Sequence, residues 1–227
     1  MTAFALAALA LLAAAETAPT GRISGRITLA GLPPKLANLP VTKDLKVCGT
    51  SKPEEALEVG SGGGIKNAVL WLPEGPRVVA REAARKKLKL DQEACQFVPH
   101  VLAAEVGSTV DVINSDAVLH NVRATEKDAK AFNYAMPIKG HVVPTHLKTV
   151  GTLKLQCDVH PWMRATIQVL PTSAFSVSGD DGSYLIEGVP PGHYKLHLWT
   201  ERLGERDDEV DVAAGQTTQH DISLTPR

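Results

Sequence analysis

Short Val/Ile/Thr/Leu runs separated by turn residues recur along the chain, and the elements they predict are strands. In Gly21–Ala30, Ile23, Ile27 and Leu29 fall on one face of a strand before Leu32-Pro33-Pro34 interrupts it. A second short strand is expected at Asn67–Leu72, ahead of Pro73-Glu-Gly-Pro76, with a polar Gly-rich loop (Gly60–Gly64) in between. Further strands follow at Phe97–Val106, Thr109–Asn114, His120–Ala124, Thr149–Gln156 and Ala165–Leu170, with a turn at Gly107-Ser108. Lys127–Thr145 has weak periodicity and reads as a long connection.

The last quarter changes character. Phe175–Ile186 reads as strand, Asp-Gly turn and strand, a hairpin signal. Val189-Pro-Pro-Gly192 turns again, Tyr194–Trp199 alternates, and Glu209–Ala213 and Thr218–Leu224 complete a small antiparallel sandwich. The stretch Arg77–Lys89 is strongly basic and is either a short exposed helix or a charged approach to a strand. A solvated face explains it; a docking patch for an acidic redox partner is the alternative.

Composition agrees with an all-β chain. Of 227 residues 44% are apolar and 4% aromatic, and 18 Gly and 15 Pro supply the turns. The formal net charge of −1 leaves no electrostatic footprint for nucleic acid or an anionic membrane. Met1–Ala15 is an Ala/Leu run ending in three alanines before Glu16, about the length of a signal-peptide core and short for a bilayer span. Its only early positive charge is the amino terminus. Export to the periplasm or secretion is the expectation, with residues 1–15 removed, no lipid-anchor cysteine and no membrane-spanning segment.

In an exported chain three cysteines are an odd number, so two can pair and the third is free, intermolecular or metal-bound. Cys48 and Cys95 sit in ordinary surroundings and are expected to form a disulfide. Cys157 sits in Gln156-Cys-Asp-Val-His-Pro-Trp-Met163, where Cys157, His160 and Met163 are spaced Cys-x2-His-x2-Met. Thiolate, imidazole and thioether are soft ligands that select copper over magnesium or calcium, and a His₂Cys plane with a weak axial Met is the blue-copper arrangement. The second imidazole is expected from His120, at the edge of a strand.

Residues from about 95 to 170 resemble a cupredoxin of the amicyanin–plastocyanin type. The matching pieces are Val106-Gly-Ser-Thr-Val110, Ile113-Asn114, His120-Asn-Val122 and Gly151 to Met163. The short interval between His160 and Met163, with Pro161 inside it, is amicyanin-like. The resemblance implies a Greek-key β-sandwich holding one type 1 copper. His120 and His160 would be the imidazole ligands, Cys157 the short thiolate ligand and Met163 the long axial one. Asn121 would tie the ligand loops together and aim its backbone N–H at the sulfur. Pro161 and Trp162 would shield the loop, leaving one imidazole edge near solvent for electrons. The tail resembles the carboxypeptidase-regulatory-like, prealbumin-type sandwich through Asp180-Asp-Gly-Ser-Tyr184, Val189–Tyr194 and Gly215-Gln-Thr217. That family usually opens with a strand like Gly21–Ala30, which here lies far upstream. The expected organisation is therefore a sandwich split between 21–76 and 171–227, with the cupredoxin (87–170) inserted. The combination resembles bacterial cupredoxin-domain or methylamine-utilisation-like proteins.

Other candidates are weaker. His100 could approach the copper or a second site, but reads more simply as a satisfied core histidine. Met136, His141 and His146 could bind further copper, although their spacing fixes no geometry. His193, His197 and His220 read as surface residues of the tail. The function implied is single-electron transfer with cytochrome c or another periplasmic redox protein; the alternative is copper storage, delivery or resistance. No catalytic constellation accompanies the ligand set, so an enzyme is not expected.

Overall fold

The computed structural model describes residues 19–75 and 88–226. The leader expected at 1–15 lies outside them, as does the basic run except for Leu88 and Lys89. In chain order the first elements are β1 (Gly21–Leu29), β2 (Leu39–Pro40), the one-turn helix α1 (Leu45–Cys48), β3 (Ser51–Lys52) and β4 (Val69–Trp71). The central strands are β5 (Leu88–Glu93), β6 (Gln96–Val98), β7 (Val101–Glu105), β8 (Thr109–Asn114) and β9 (His120–Glu126). They continue with β10 (Ala129–Met136), β11 (His141–His146), β12 (Gly151–Gln156) and β13 (Arg164–Leu170). The tail holds β14 (Phe175–Val177), β15 (Ser183–Val189), β16 (Gly192–Thr200), β17 (Gly204–Val212), β18 (Thr217–Gln219) and β19 (Ile222–Leu224).

Among the described residues the architecture is all-β, built as two sandwiches. In the central one, a five-stranded sheet β10-β9-β12-β13-β7 faces a four-stranded sheet β11-β8-β5-β6. Their inward residues, among them Leu90, Phe97, Val112, Val122, Leu155 and Ile167, make one core. Each such side chain contributes roughly 1.5–3 kcal/mol by leaving water. The outer sandwich packs β15-β1-β18/β19 against β14-β4-β16-β17 around Ile23, Ile27, Leu70, Ile186, Leu196 and Ile222. The strand β1 therefore pairs with three strands of the tail and with none of the central sheets. Likewise β4 pairs with β14 and β16. The chain leaves the outer sandwich through β4 and returns through its neighbour β14, where Leu72 N donates to Ala174 O at 3.1 Å.

The sandwiches touch through β7, which is covered on both faces. Leu102 and Ala104 enter the central core, while Val101 and Ala103 meet Val69, Leu170 and Trp199. This is why β7 reads as an unbroken apolar run rather than an alternation. The expected strand Phe97–Val106 is in fact two, because the chain crosses between sheets at Pro99-His100: β6 pairs with β5 and β7 with β13.

Two further expectations need correction. Lys127–Thr145 is not a loop but mostly the edge strands β10 and β11. Lys127 and Asp128, with φ of 46° and 67°, form a tight turn of the kind that suits a hairpin, though without the Asn-Gly signal. Edge strands expose their outer positions, which blurs the pattern, and Pro144 is tolerated on β11 because that strand is an edge. The Asp-Gly turn near 181–182 exists, closed by Gly179 N to Ser183 O at 3.0 Å. It joins strands of opposite sheets, however, since β14 pairs with β4 and β15 with β1.

Candidate metal centre

The loop between β12 and β13 carries Cys157, His160 and Met163. Strand pairing holds its ends together at Gln156 and Arg164. Within it Cys157 N donates to Met163 O at 3.2 Å and Met163 N to His160 O at 2.9 Å, so the three side chains are presented from one tight turn. His120 arrives from the first position of β9, beside β12 in the same sheet. His120, Cys157, His160 and Met163 are all buried.

The three hard-placed donors converge. Cys157 Sγ lies 4.0 Å from His120 Nδ1 and 3.8 Å from His160 Nδ1, and the two Nδ1 atoms are 2.9 Å apart. A point equidistant from all three is about 2.1 Å from each, the length of a metal–imidazole bond. Tautomers sharpen the argument. His120 Nε2 donates to Asp116 Oδ2 at 2.9 Å and His160 Nε2 to Asp44 Oδ2 at 2.8 Å. With both Nε2 atoms protonated, two Nδ1 lone pairs face each other at hydrogen-bond distance, an arrangement that calls for a cation between them. Burial holds His120 below the usual histidine range, His160 pushing the same way and the Asp116 carboxylate opposing, which favours the neutral, ligating ring.

Asn121 does what its place after His120 implies. Its backbone N–H points at Cys157 Sγ at 3.5 Å. Its side chain accepts from Asp158 N at 2.7 Å and donates to Asn133 and Asp158, tying β9, β10 and the ligand loop together. Arg123 hydrogen-bonds Asp158 at 2.8 Å, and that contact holds the Asp158 carboxyl below the usual range.

The surroundings of His160 differ from expectation. Its ring edge is not near solvent: the side chain is 0% exposed, capped by Asp44 and flanked by Trp162 at a ring-centroid distance of 5.0 Å. The cap is the segment around α1, and the Cys48–Cys95 disulfide pins it to the central sandwich. The two disulfide sulfurs and a His160 nitrogen lie within 4.8 Å of one another. Trp162 Nε1 donates to Cys95 O at 3.1 Å, which closes the same shell. A groove of about 1000 Å³ lies elsewhere, between the sandwiches at Lys154, Arg164, Trp199 and Glu205.

Asp44 and Asp116 were not visible as site residues in the sequence. Asp116 offered a faint signal four positions before His120; Asp44 offered none. His100 stays away from the donors. Its Nδ1 faces Arg164 O at 3.1 Å and its Nε2 faces Glu201 of the outer sandwich at 2.5 Å, with Glu55 3.8 Å from Nδ1. Burial disfavours its charge, yet the two carboxylates raise its pKa overall. Met136 is core, and His141 and His146 sit exposed on β11, so the structure does not gather them into a site. His193, His197 and His220 pair with Asp211, Asp207 and Asp208 on the outer sandwich.

No protein-family model matches the chain, and no curated protein does. Among solved structures it is similar to a reduced-state amicyanin mutant, at 23% identity over 45% of this chain and 98% of that one, with a TM-score of 0.34. A second amicyanin mutant, in its reduced Cu(I) form at pH 4, matches at 24% identity, the same coverage and a TM-score of 0.34. A purple cupredoxin from Nitrosopumilus maritimus matches at 22% identity over 37% of this chain and 99% of that one, with a TM-score of 0.32.

Proposed function

We propose that this chain is an exported type 1 copper protein that passes single electrons to or from a redox partner such as a periplasmic cytochrome c. The observation that carries the reading is the convergence of Cys157 Sγ, His120 Nδ1 and His160 Nδ1 on one buried point while both Nε2 atoms are tied off. His120, His160 and Cys157 would hold one copper, with Met163 on the same loop offering a thioether. Copper so held supplies a one-electron couple. The packed strands on either side keep the donors in place, so little rearranges as an electron arrives or leaves. Asn121 aims an N–H at the sulfur and braces the loop. The outer sandwich is of the carboxypeptidase-regulatory-like type, and residues 1–15 direct export.

Storage or delivery of copper is the second reading, favoured by one feature: both imidazoles are 0% exposed, so the metal is sealed from direct contact with a partner. A carrier keeps its copper through repeated oxidation and reduction, whereas a delivery protein yields it to an acceptor chelator in one state.

The test is a visible and EPR spectrum of the Cu(II)-loaded protein beside Cys157→Ser. Intense thiolate-to-copper charge transfer with narrow copper hyperfine splitting, both absent from the variant, is the expected result. A pale spectrum indifferent to the substitution refutes the ligand set.

A further inference from the structure

We propose that Asp44 and Asp116 are positioning residues that fix both donor imidazoles in one tautomer and, through them, hold the reduction potential of the centre down. This rests on the copper reading above. Each carboxylate sits 2.8–2.9 Å from the Nε2 of one ring, so each ring keeps its proton on Nε2 and turns the Nδ1 lone pair inward. A carboxylate on the far side of an imidazole also pushes electron density toward the metal side, which favours Cu(II) over Cu(I). With one carboxylate behind each ring, the two effects act on the same metal.

The fold holds the Asp116 carboxylate and the Asp44 backbone independently of any metal. Asp116 accepts from Ala94 N at 2.8 Å and Cys95 N at 2.7 Å, in the two-residue turn joining β5 to β6. Its own N–H donates to the buried side chain of Asn114, which in turn donates to Val118 O and Met136 O. Asp44 stands at φ 52°, a left-handed conformation that Asp tolerates better than most residues. Its carbonyl accepts from Val47 N and Cys48 N, both at 2.9 Å, which closes α1. The disulfide at Cys48 then fastens α1 to Cys95, the residue whose N–H Asp116 grips. One bridge therefore joins the segment that bears Asp44 to the turn that Asp116 grips.

The experiment compares the reduction potentials of the copper-loaded wild type, Asp44→Asn and Asp116→Asn, with Glu126→Gln at the far end of β9 as a charge control. Asparagine keeps the shape and, at position 44, the tolerance of left-handed backbone, while removing the charge. Each Asn variant is expected to favour Cu(I) about tenfold more than wild type, a rise of about 59 mV, with the thiolate band retained and the control unmoved. A proton NMR spectrum of the wild-type Cu(I) form adds a readout independent of any variant. Both Nε2–H protons should lie far downfield and exchange slowly with water. Wild-type protein without thiolate charge transfer overturns the copper reading and this inference together. A normal blue wild type overturns this inference alone if the Asn variants match its potential, or if either Nε2–H exchanges freely.

Discussion

Removing the Cys48–Cys95 bridge tests how the metal loop is kept covered. The disulfide closes a loop with a sequence separation of 47. Chain-entropy scaling assigns a loop of that length about 4 kcal/mol of stabilisation, through restriction of the unfolded chain. Both cysteines are buried, at 1% and 0% exposure, so the double variant Cys48→Ala/Cys95→Ala also loses some sulfur packing, roughly 1 kcal/mol. A loss of about 4–5 kcal/mol is a large share of the total stability of a small protein. Guanidinium titration read by circular dichroism measures it. A second signature follows from where the bridge lies. It fastens the Asp44 cap over His160, so in the variant the backbone N–H groups at positions 47 and 48 should exchange with solvent far faster than those of β12. A fall under about 1 kcal/mol with an unchanged denaturant slope would refute the loop-closure account. Retained protection at Val47 would show that packing alone secures the cap.

Two further outcomes follow from the outer sandwich and its junction. His100 has a raised pKa in the folded state, since Glu201 and Glu55 outweigh its burial, so its charged form adds stability that is complete below the ordinary histidine value of about 6.5 and is lost as pH rises through the folded value. His100→Gln should therefore cost about 2 kcal/mol near pH 6 and progressively less above it, and melting curves from pH 5.5 to 9 with parallel losses would contradict this. Gly25 in β1 has no room for a side chain, because a Cβ there would lie 1.9 Å from His220 O and 2.9 Å from the Tyr184 ring. Gly25→Ala should destabilise by on the order of 2–3 kcal/mol, and an unchanged melting temperature would disprove that close approach.

What the sequence revealed follows a physical divide. Groups whose role depends on local spacing were legible. The turn of seven residues from Cys157 to Met163 needs no distant partner to present its donors, and the alternation in β1 marks a strand with one buried face. The odd cysteine count pointed to the Cys48–Cys95 bond that the structure contains. Groups that depend on long-range placement were hidden. Asp44 reaches His160 across 116 positions, and nothing near it in the chain announces a histidine partner. The burial of the His160 edge was missed for the same reason. Strand β10 was a different failure: Phe132, Tyr134 and Met136 do alternate, but the exposed Ala129, Lys130 and Ala131 before them diluted the pattern. The Asp-Gly turn was read correctly as a turn and wrongly as a hairpin, because turn chemistry fixes the chain reversal and not which sheet each arm joins.

The adjacency of β4 and β14 has a mechanical consequence. Both connections to the central sandwich pass through one antiparallel pair, while the first and last described strands lie in the outer sandwich, where β1 runs parallel to β19 with Ile27 opposite Ile222 and Leu29 opposite Leu224. Tension applied at Gly21 and Leu224 drags β1 and β19 in opposite directions along their axes, a shearing load on the hydrogen bonds between them. The load path crosses the outer sandwich and bypasses the cluster of His120, Cys157 and His160 until that sandwich gives way. In a single-molecule pulling record the outer sandwich should yield first and the central one afterwards, so the unit that carries the candidate metal centre is shielded from force by the shell into which it is inserted.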